Sequence, residues 1–328
     1  MAIILWTRAE EELVRILVAG GAGFIGSHLV DRLVADGHSL TVVDNLITGS
    51  ENNIRHLLGT RDFQFLQRDI VNPETLPACE AIFNLASPAS PPGYLQYPIQ
   101  TALANSFGTH NLLEHAVKHN ARFLIASTSE IYGEPLEHPQ RETYWGNVNP
   151  VGIRSCYDES KRFGEMLTST YHRQHGLDSR IVRIFNTYGP RSDPNDGRIV
   201  PNFMKQAIVG EPITVYGDGT QTRSLCYVSD LVDGLVRAMF CEGTSGGIFN
   251  LGNPEEHTVQ EYAELIKRLV DSPSPIVSRP KISEDDPTRR RPDISRAKQA
   301  LGWAPKVELV AGLNLTIDWF RRRLANES

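Results

Sequence analysis

The chain reads as an α/β protein, a doubly wound parallel sheet followed by a smaller carboxyl-terminal lobe. Three observations predict it. The apolar run Ile16-Leu17-Val18-Ala19 opens directly into Gly20-Gly21-Ala22-Gly23-Phe24-Ile25-Gly26, and Ser27-His28-Leu29-Val30 then opens a helix. Apolar runs and helical patterns alternate through the first half, the signature of βαβ units. After Tyr188-Gly189-Pro190, glycine and proline become frequent and the candidate strands shorten.

Taken in order, the strand candidates are Ile16–Ala19, Leu40–Val43, Phe63–Leu66, Ala81–Leu85, Phe123–Ala126 and Arg180–Ile184. Two long helical patterns, about Ile99–His119 and Tyr157–His175, carry apolar residues at three- and four-residue spacing. Asp271–Pro292 is rich in proline and charge and reads as a surface loop. Residues 1–14 read as a leader. Their apolar run, Ala2 to Trp6, is short, has no basic residue before it and is followed by three glutamates, unlike a signal peptide.

With 328 residues the chain has room for about two domains of roughly 150. A net charge of −6 argues against a general nucleic-acid binder, which needs a basic face, yet local arginines can still hold a small anion. Cys79, Cys156, Cys226 and Cys241 show no CxxC spacing, so a reduced protein without a metal is expected. No stretch approaches the ~18 apolar residues of a membrane span. These features together predict a cytoplasmic protein with no membrane or nucleic-acid partner.

The glycine-rich turn fits G-x-G-x-x-G through Gly21, Gly23 and Gly26, and G-x-x-G-x-x-G through Gly20, Gly23 and Gly26. Glycines let the backbone approach a pyrophosphate, and the following helix amino terminus supplies N–H groups and positive dipole. Asp44 ends the second strand, 18 residues beyond Gly26, where an acid binds the adenosine ribose hydroxyls and repels a 2′-phosphate. NAD is therefore expected over NADP; otherwise Asp44 is a turn cap before Asn45. Asp69-Ile70, after the third strand, is placed to meet the adenine. The expected cofactor set is Gly20, Gly23, Phe24, Ile25, Gly26, Asp44, Asn45, Asp69, Ile70, Leu85 and Ala86, joined by Tyr157 and Lys161.

Tyr157 and Lys161 stand four apart on one helix face. A phenol near pKa 10 is a poor base at neutral pH, and an adjacent ammonium stabilises its phenolate. Tyr157 could then take a hydroxyl proton as hydride leaves the carbon. Ser127-Thr128-Ser129-Glu130 follows a strand at the carboxyl end, where open α/β sheets bind ligands. One hydroxyl there could hold the reacting oxygen, or the segment is a polar turn, the blander reading for Ser127.

These pieces resemble the extended short-chain dehydrogenase/reductase family, a Rossmann-fold family, from about Arg15 to Trp303. Within it the chain is most similar to the UDP-glucuronate decarboxylases. The similarity rests on Asn84–Pro91, Ser127–Gly133, Tyr144–Lys161 (YWGNVNPVGIRSCYDESK), Arg183–Arg191 and Val215–Arg223. The resemblance implies oxidation at carbon 4 of UDP-glucuronate, loss of CO2 from the resulting β-keto acid, and re-reduction to UDP-xylose on one bound NAD. It assigns Tyr157 as base, Lys161 as its support, Thr128 to the oxygen, Ser129 and Glu130 near carbon 5, and Arg290 to protonation or carboxylate handling. Sugar 4,6-dehydratases carry Asp-Glu where this chain has Ser129-Glu130, which disfavours dehydration; a 4-epimerase would lack the glutamate.

A diphosphate and a carboxylate need local cations in an acidic protein. Arg191, Arg223 and Arg290 are the candidates, since a planar guanidinium suits phosphate. Arg290 lies in a three-arginine run that could equally be a solvated face. Tyr216 could stack on uracil or be a core aromatic, Asn186 could bond a phosphate, Lys205 on the helix after Pro201 could contribute, and Tyr94 could meet the sugar carboxylate. Ala19 and Leu225 depart from the family pattern, where Thr and Phe are usual, and touch local packing. The family also implies that 226–250 rejoins the dinucleotide domain of 15–185, leaving 186–225 and 251–328 as the nucleotide-sugar lobe. Helices 99–119 and 157–175 have apolar faces that, by the resemblance, would pair across a homodimer; otherwise those faces pack on the sheet.

Overall fold

A computed structural model of the chain describes residues 13–72, 75–280 and 289–326. All but the last two residues of the expected leader lie outside this range. The first half builds β1 (Arg15–Ala19), α1 (Phe24–Ala35), β2 (Ser39–Asp44), β3 (Phe63–Gln67), β4 (Ala81–Asn84), α2 (Pro91–Gln96), α3 (Pro98–Leu103), α4 (Thr109–His119) and β5 (Arg122–Thr128). Next come α5 (Ser155–His175), β6 (Ser179–Ile184), β7 (Thr187–Tyr188), α6 (Ile199–Val209), β8 (Ile213–Tyr216), β9 (Thr222–Ser224), β10 (Cys226–Tyr227) and α7 (Val228–Phe240). The chain ends with β11 (Ile248–Leu251), β12 (Glu256–Thr258), α8 (Val259–Val270), β13 (Ile276–Arg279), α9 (Ser295–Leu301) and α10 (Leu309–Ala325).

Seven strands form one parallel sheet in the order β11-β6-β5-β4-β1-β2-β3. Because helices cover both faces, the central strands are buried on both sides, which is why they read as unbroken apolar runs rather than alternating ones. Leu17, Val18 and Ala19 are fully buried, and Leu17 and Val18 point to opposite cores. One face packs on α1, α7 and α9 through Leu29, Leu33, Leu231, Leu235 and Leu301, with Trp303 just beyond α9. The other packs on α4 and α5 through Leu112, Leu113, Ala116 and Tyr171. A separate core of Phe203, Met204, Tyr262, Ile266, Leu313 and Phe320 holds α6, α8 and α10 together beside the cleft.

Several boundaries differ from the sequence expectation for physical reasons. Helix α1 begins at Phe24, three residues early, because the Ser27 N–H already bonds the Gly23 carbonyl at 3.0 Å and takes the last glycine into the first turn. The expected helix 99–119 is broken by a wide π turn at Ala104–Gly108. There Gly108 faces Ile70 so closely that a Cβ would lie 2.6 Å from its Cδ1, and buried Asn105 donates to Ser87 Oγ and Ser160 Oγ at 3.0 Å. Helix α6 starts at Ile199, so Pro201 sits in its first turn, where proline is tolerated, rather than before it. Asp271–Pro292 is not simply a surface loop. Strand β13 pairs with β8, Pro292 bridges to Gln140, and Arg290 is 1% exposed.

Candidate active site

A cleft of about 1200 Å³ opens at the carboxyl ends of the parallel strands, larger than the ~300–1,000 Å³ typical of a single small-molecule site. Every residue expected to bind cofactor or substrate lines it except Lys205.

At one end the glycine turn forms a cradle. Gly20 has φ +79°, and a Cβ there would lie 2.7 Å from the Ala86 nitrogen, so only glycine fits. At Gly26 a Cβ would sit 2.0 Å from the Gly20 carbonyl oxygen, so turn and helix meet backbone to backbone. Gly21 lies outside the cleft, facing Val42 and Val30, which makes Gly20, Gly23 and Gly26 the operative triplet. Asp44 is 8% exposed, its carboxylate fixed by the N–H groups of Ala22 at 3.0 Å and Leu46 at 2.9 Å. Burial raises its pKa, against those two bonds. Asn45 donates to Asp69 at 3.0 Å, closing the same wall.

Elsewhere in the cleft, burial and neighbouring charge shape the chemistry. Tyr157 is 5% exposed, bonds the Thr128 hydroxyl and stacks on Tyr94 with ring centroids 5.1 Å apart. Burial pushes its phenol well above the usual value. Lys161 lies 5.8 Å from the Tyr157 ring centroid and donates to the Ala126 carbonyl at 2.8 Å. Burial lowers it to about 7, opposed by Glu165. Glu130, just beyond Thr128, pairs with Arg154 and lies 3.5 Å from Arg290 Nη2. Burial would raise the Glu130 carboxyl, but Arg290 and then Arg154 hold it below its ordinary value. Asp158, behind Arg154, is pushed up to about 7 by burial and by Glu130. Arg290 also donates to the Ser129 carbonyl, while its Nε and Nη2 are buried with no hydrogen-bond acceptor among the described residues, Nη2 keeping only its 3.5 Å ion pair with Glu130.

Some assignments change on this geometry. Lys205 donates to Asn195 at 2.7 Å and does not reach the cleft. Arg191 lines the cleft but pairs with Asp31 of α1 at 2.7 Å, which ties it to the cofactor helix. Tyr94 sits in α2, 2% exposed, and its ring is committed to Tyr157 rather than standing free in a loop. Tyr216, 36% exposed at the end of β8, is not a core aromatic. Arg223 and Asn186 also line the cleft. Ser127 donates to Glu165 at 2.5 Å, a structural bond. Leu225 and Ala19 are buried packing residues.

Sequence reasoning missed two arginines. Arg154 lies three residues before Tyr157 and one helical turn before Asp158, but its contact with Glu130 depends on how β5 and α5 meet. Arg198, paired with Asp196 at 2.6 Å, enters the cleft at the start of α6.

A pyrophosphate cradle at the centre of a parallel sheet, with a tyrosine–lysine pair in the same cleft, defines a dinucleotide-dependent enzyme of the dehydrogenase type. Residues 16–252 match the NAD dependent epimerase/dehydratase family, and the chain belongs to that family, with NAD as its cofactor. The backbone-to-backbone fit at Gly26 and the fixed carboxylate of Asp44 suit that dinucleotide. Among its relatives, UDP-glucuronic acid decarboxylase 1 of Danio rerio is 52% identical over 98% of this chain and 76% of its own length. UDP-glucuronic acid decarboxylase 3 of Arabidopsis thaliana is 52% identical over 95% of this chain and 90% of its own. The structure of UDP-glucuronic acid 4-epimerase from Bacillus cereus, in complex with UDP-glucuronic acid and NAD, superposes with a TM-score of 0.86 at 28% identity, covering 94% of this chain and 99% of that one.

Proposed function

We propose that this protein converts UDP-glucuronate to UDP-xylose and CO2. The observation that carries the proposal is Glu130, held between Arg154 and Arg290 in the cleft that also holds Tyr157 and Lys161, in a chain about half identical to UDP-glucuronic acid decarboxylases along nearly its whole length. Tyr157 accepts the proton of the carbon-4 hydroxyl, with Lys161 stabilising the phenolate and Thr128 fixing the phenol's direction. Held by the Gly20, Gly23 and Gly26 turn and Asp44, NAD would supply the acceptor for the carbon-4 hydride and then its donor, which makes the overall reaction redox-neutral. The carboxylate on carbon 5 is then β to a ketone, and its C–C bond breaks to give CO2 and an enolate whose oxygen the protonated Tyr157 can bond. Ser129, Glu130 and Arg290 would lie around carbon 5, which takes one proton drawn from solvent water, and Tyr157 returns its own proton to the carbon-4 oxygen.

The donors of Arg290 that lack partners suit the sugar carboxylate, and Arg223, Asn186 and Arg198 suit the diphosphate. Tyr216 at the exposed rim suits the uracil. The likeness of shape to a UDP-glucuronic acid 4-epimerase favours a second reading as an epimerase. Substrate labelled at the carboxyl carbon separates them: labelled CO2 supports decarboxylation, whereas retained label in an isomeric UDP-uronate supports epimerisation. The protein also forms a homodimer in this reading. Ile99 on α3 and Phe107 in the π turn, with Phe163 and Met166 on the adjacent α5, are 69%, 60%, 43% and 46% exposed, an apolar ridge that a second copy would cover.

A further inference from the structure

Behind the cleft lies a chain of buried polar groups that the proposed reaction does not use. Glu165 stands one helical turn beyond Lys161 on α5 and is 9% exposed. Its Oε1 accepts from Ser127 Oγ at 2.5 Å and from Arg183 Nε at 3.0 Å, and its Oε2 accepts from Arg183 Nη2 at 2.8 Å. Arg183 Nη1 donates to the Tyr132 hydroxyl at 3.0 Å and to the Glu142 carbonyl at 2.9 Å. The Tyr132 hydroxyl donates to Asn250 at 2.8 Å, and Asn250 donates to the carbonyls of Gln140 and Asp293. One carboxylate thus ties α5 to β5, β6, β11 and the segment that carries Arg290.

A buried ion pair is weak support for stability, because desolvation offsets the attraction. What this one fixes is more telling. Ser127 and Arg183 are register partners on β5 and β6. Ser127 lies between Ala126, whose carbonyl accepts from Lys161, and Thr128, whose hydroxyl meets Tyr157. Lys161 is 4% exposed, and Glu165 is the charge that counters its desolvation. The other groups around the pair are Tyr94 from α2, stacked on Tyr157, Glu130 from the turn after β5, Asp158 on α5 and Arg198 at the start of α6.

We propose that Glu165 is a positioning residue for the Tyr157–Lys161 pair, clamping the Ala126–Thr128 end of β5 to α5 and setting a carboxylate one helical turn from Lys161. This rests on the reading of Tyr157 and Lys161 as the proton-handling pair.

The test is the titration of Lys161 in the full-length, NAD-loaded protein, followed by NMR of 13Cε-labelled lysine and assigned by the signal lost in Lys161→Met. Glu165→Gln leaves Arg183 unpaired, so Lys161 should titrate about one pH unit lower. Arg183→Met leaves the carboxylate unpaired and should move it in the opposite direction. Should either single variant fail to fold, Glu165→Gln with Arg183→Met removes both charges and should give a smaller downward shift. With UDP-glucuronate, the alkaline limb of the kcat/KM profile should move to lower pH in Glu165→Gln. Unchanged titration, or shifts of one sign in both single variants, would overturn the proposal. Opposed shifts in a protein that leaves UDP-glucuronate untouched would keep it and overturn the substrate reading instead.

Discussion

Burial drives the Tyr157 phenol and the Lys161 ammonium in opposite directions, the phenol up and the ammonium down to about 7. Both shifts oppose charge, so the pair works only when each ion stabilises the other. Tyr157→Phe should lower turnover by ~10²–10⁴-fold and leave NAD binding intact, measured by steady-state kinetics beside calorimetric titration with NAD. Lys161 also makes stability depend on pH. Between about 7 and the unfolded value near 10.4, the unfolded chain holds the extra proton, so this group's contribution to stability rises with pH. Lys161→Met should therefore raise the melting temperature of the cofactor-free protein most at pH 6, with the gain shrinking by pH 9, as thermal melts at both pH values would check. The spacing of Tyr157 and Lys161 could be read in the sequence because a helix makes neighbours of residues four apart. The Glu130–Arg154 contact and the Arg191–Asp31 pair could not, since each joins elements whose distance only the fold sets.

The turn between β1 and α1 works through what it lacks. A Cβ at Gly26 would collide with the Gly20 carbonyl, so Gly26→Ala should push α1 off the turn, destabilise the fold by about 1–3 kcal/mol and weaken NAD binding at least about tenfold, as calorimetry would measure. The parallel strands were legible because both their faces are buried, leaving apolar runs bounded by turns. The π turn at Ala104–Gly108 left no signal in the apolar spacing, because its causes are the approach of Ile70 to Gly108 and the bonds of Asn105. The family resemblance named Arg290, but its burial was hidden for a related reason. A charged, proline-rich stretch looks solvated, and only the contact of its end with Gln140 and Ser129 buries it.

Across the whole molecule, one cleft is lined by the cofactor turn, the ends of the parallel strands, α6 and β8, room for a dinucleotide beside a nucleotide sugar. The exposed ridge of Ile99, Phe107, Phe163 and Met166 lies on the far side of α5 from the sheet. Phe107→Asp should convert the proposed dimer to a monomer, read as a halved mass by light scattering after gel filtration; an unchanged mass would place the interface elsewhere. The most direct test of the central claim is proton NMR of the purified protein with UDP-glucuronate and NAD. UDP-xylose should appear while free NADH does not build up, because oxidation, decarboxylation and re-reduction share one site. Untouched UDP-glucuronate, together with turnover of a neutral UDP- or dTDP-hexose, would contradict it.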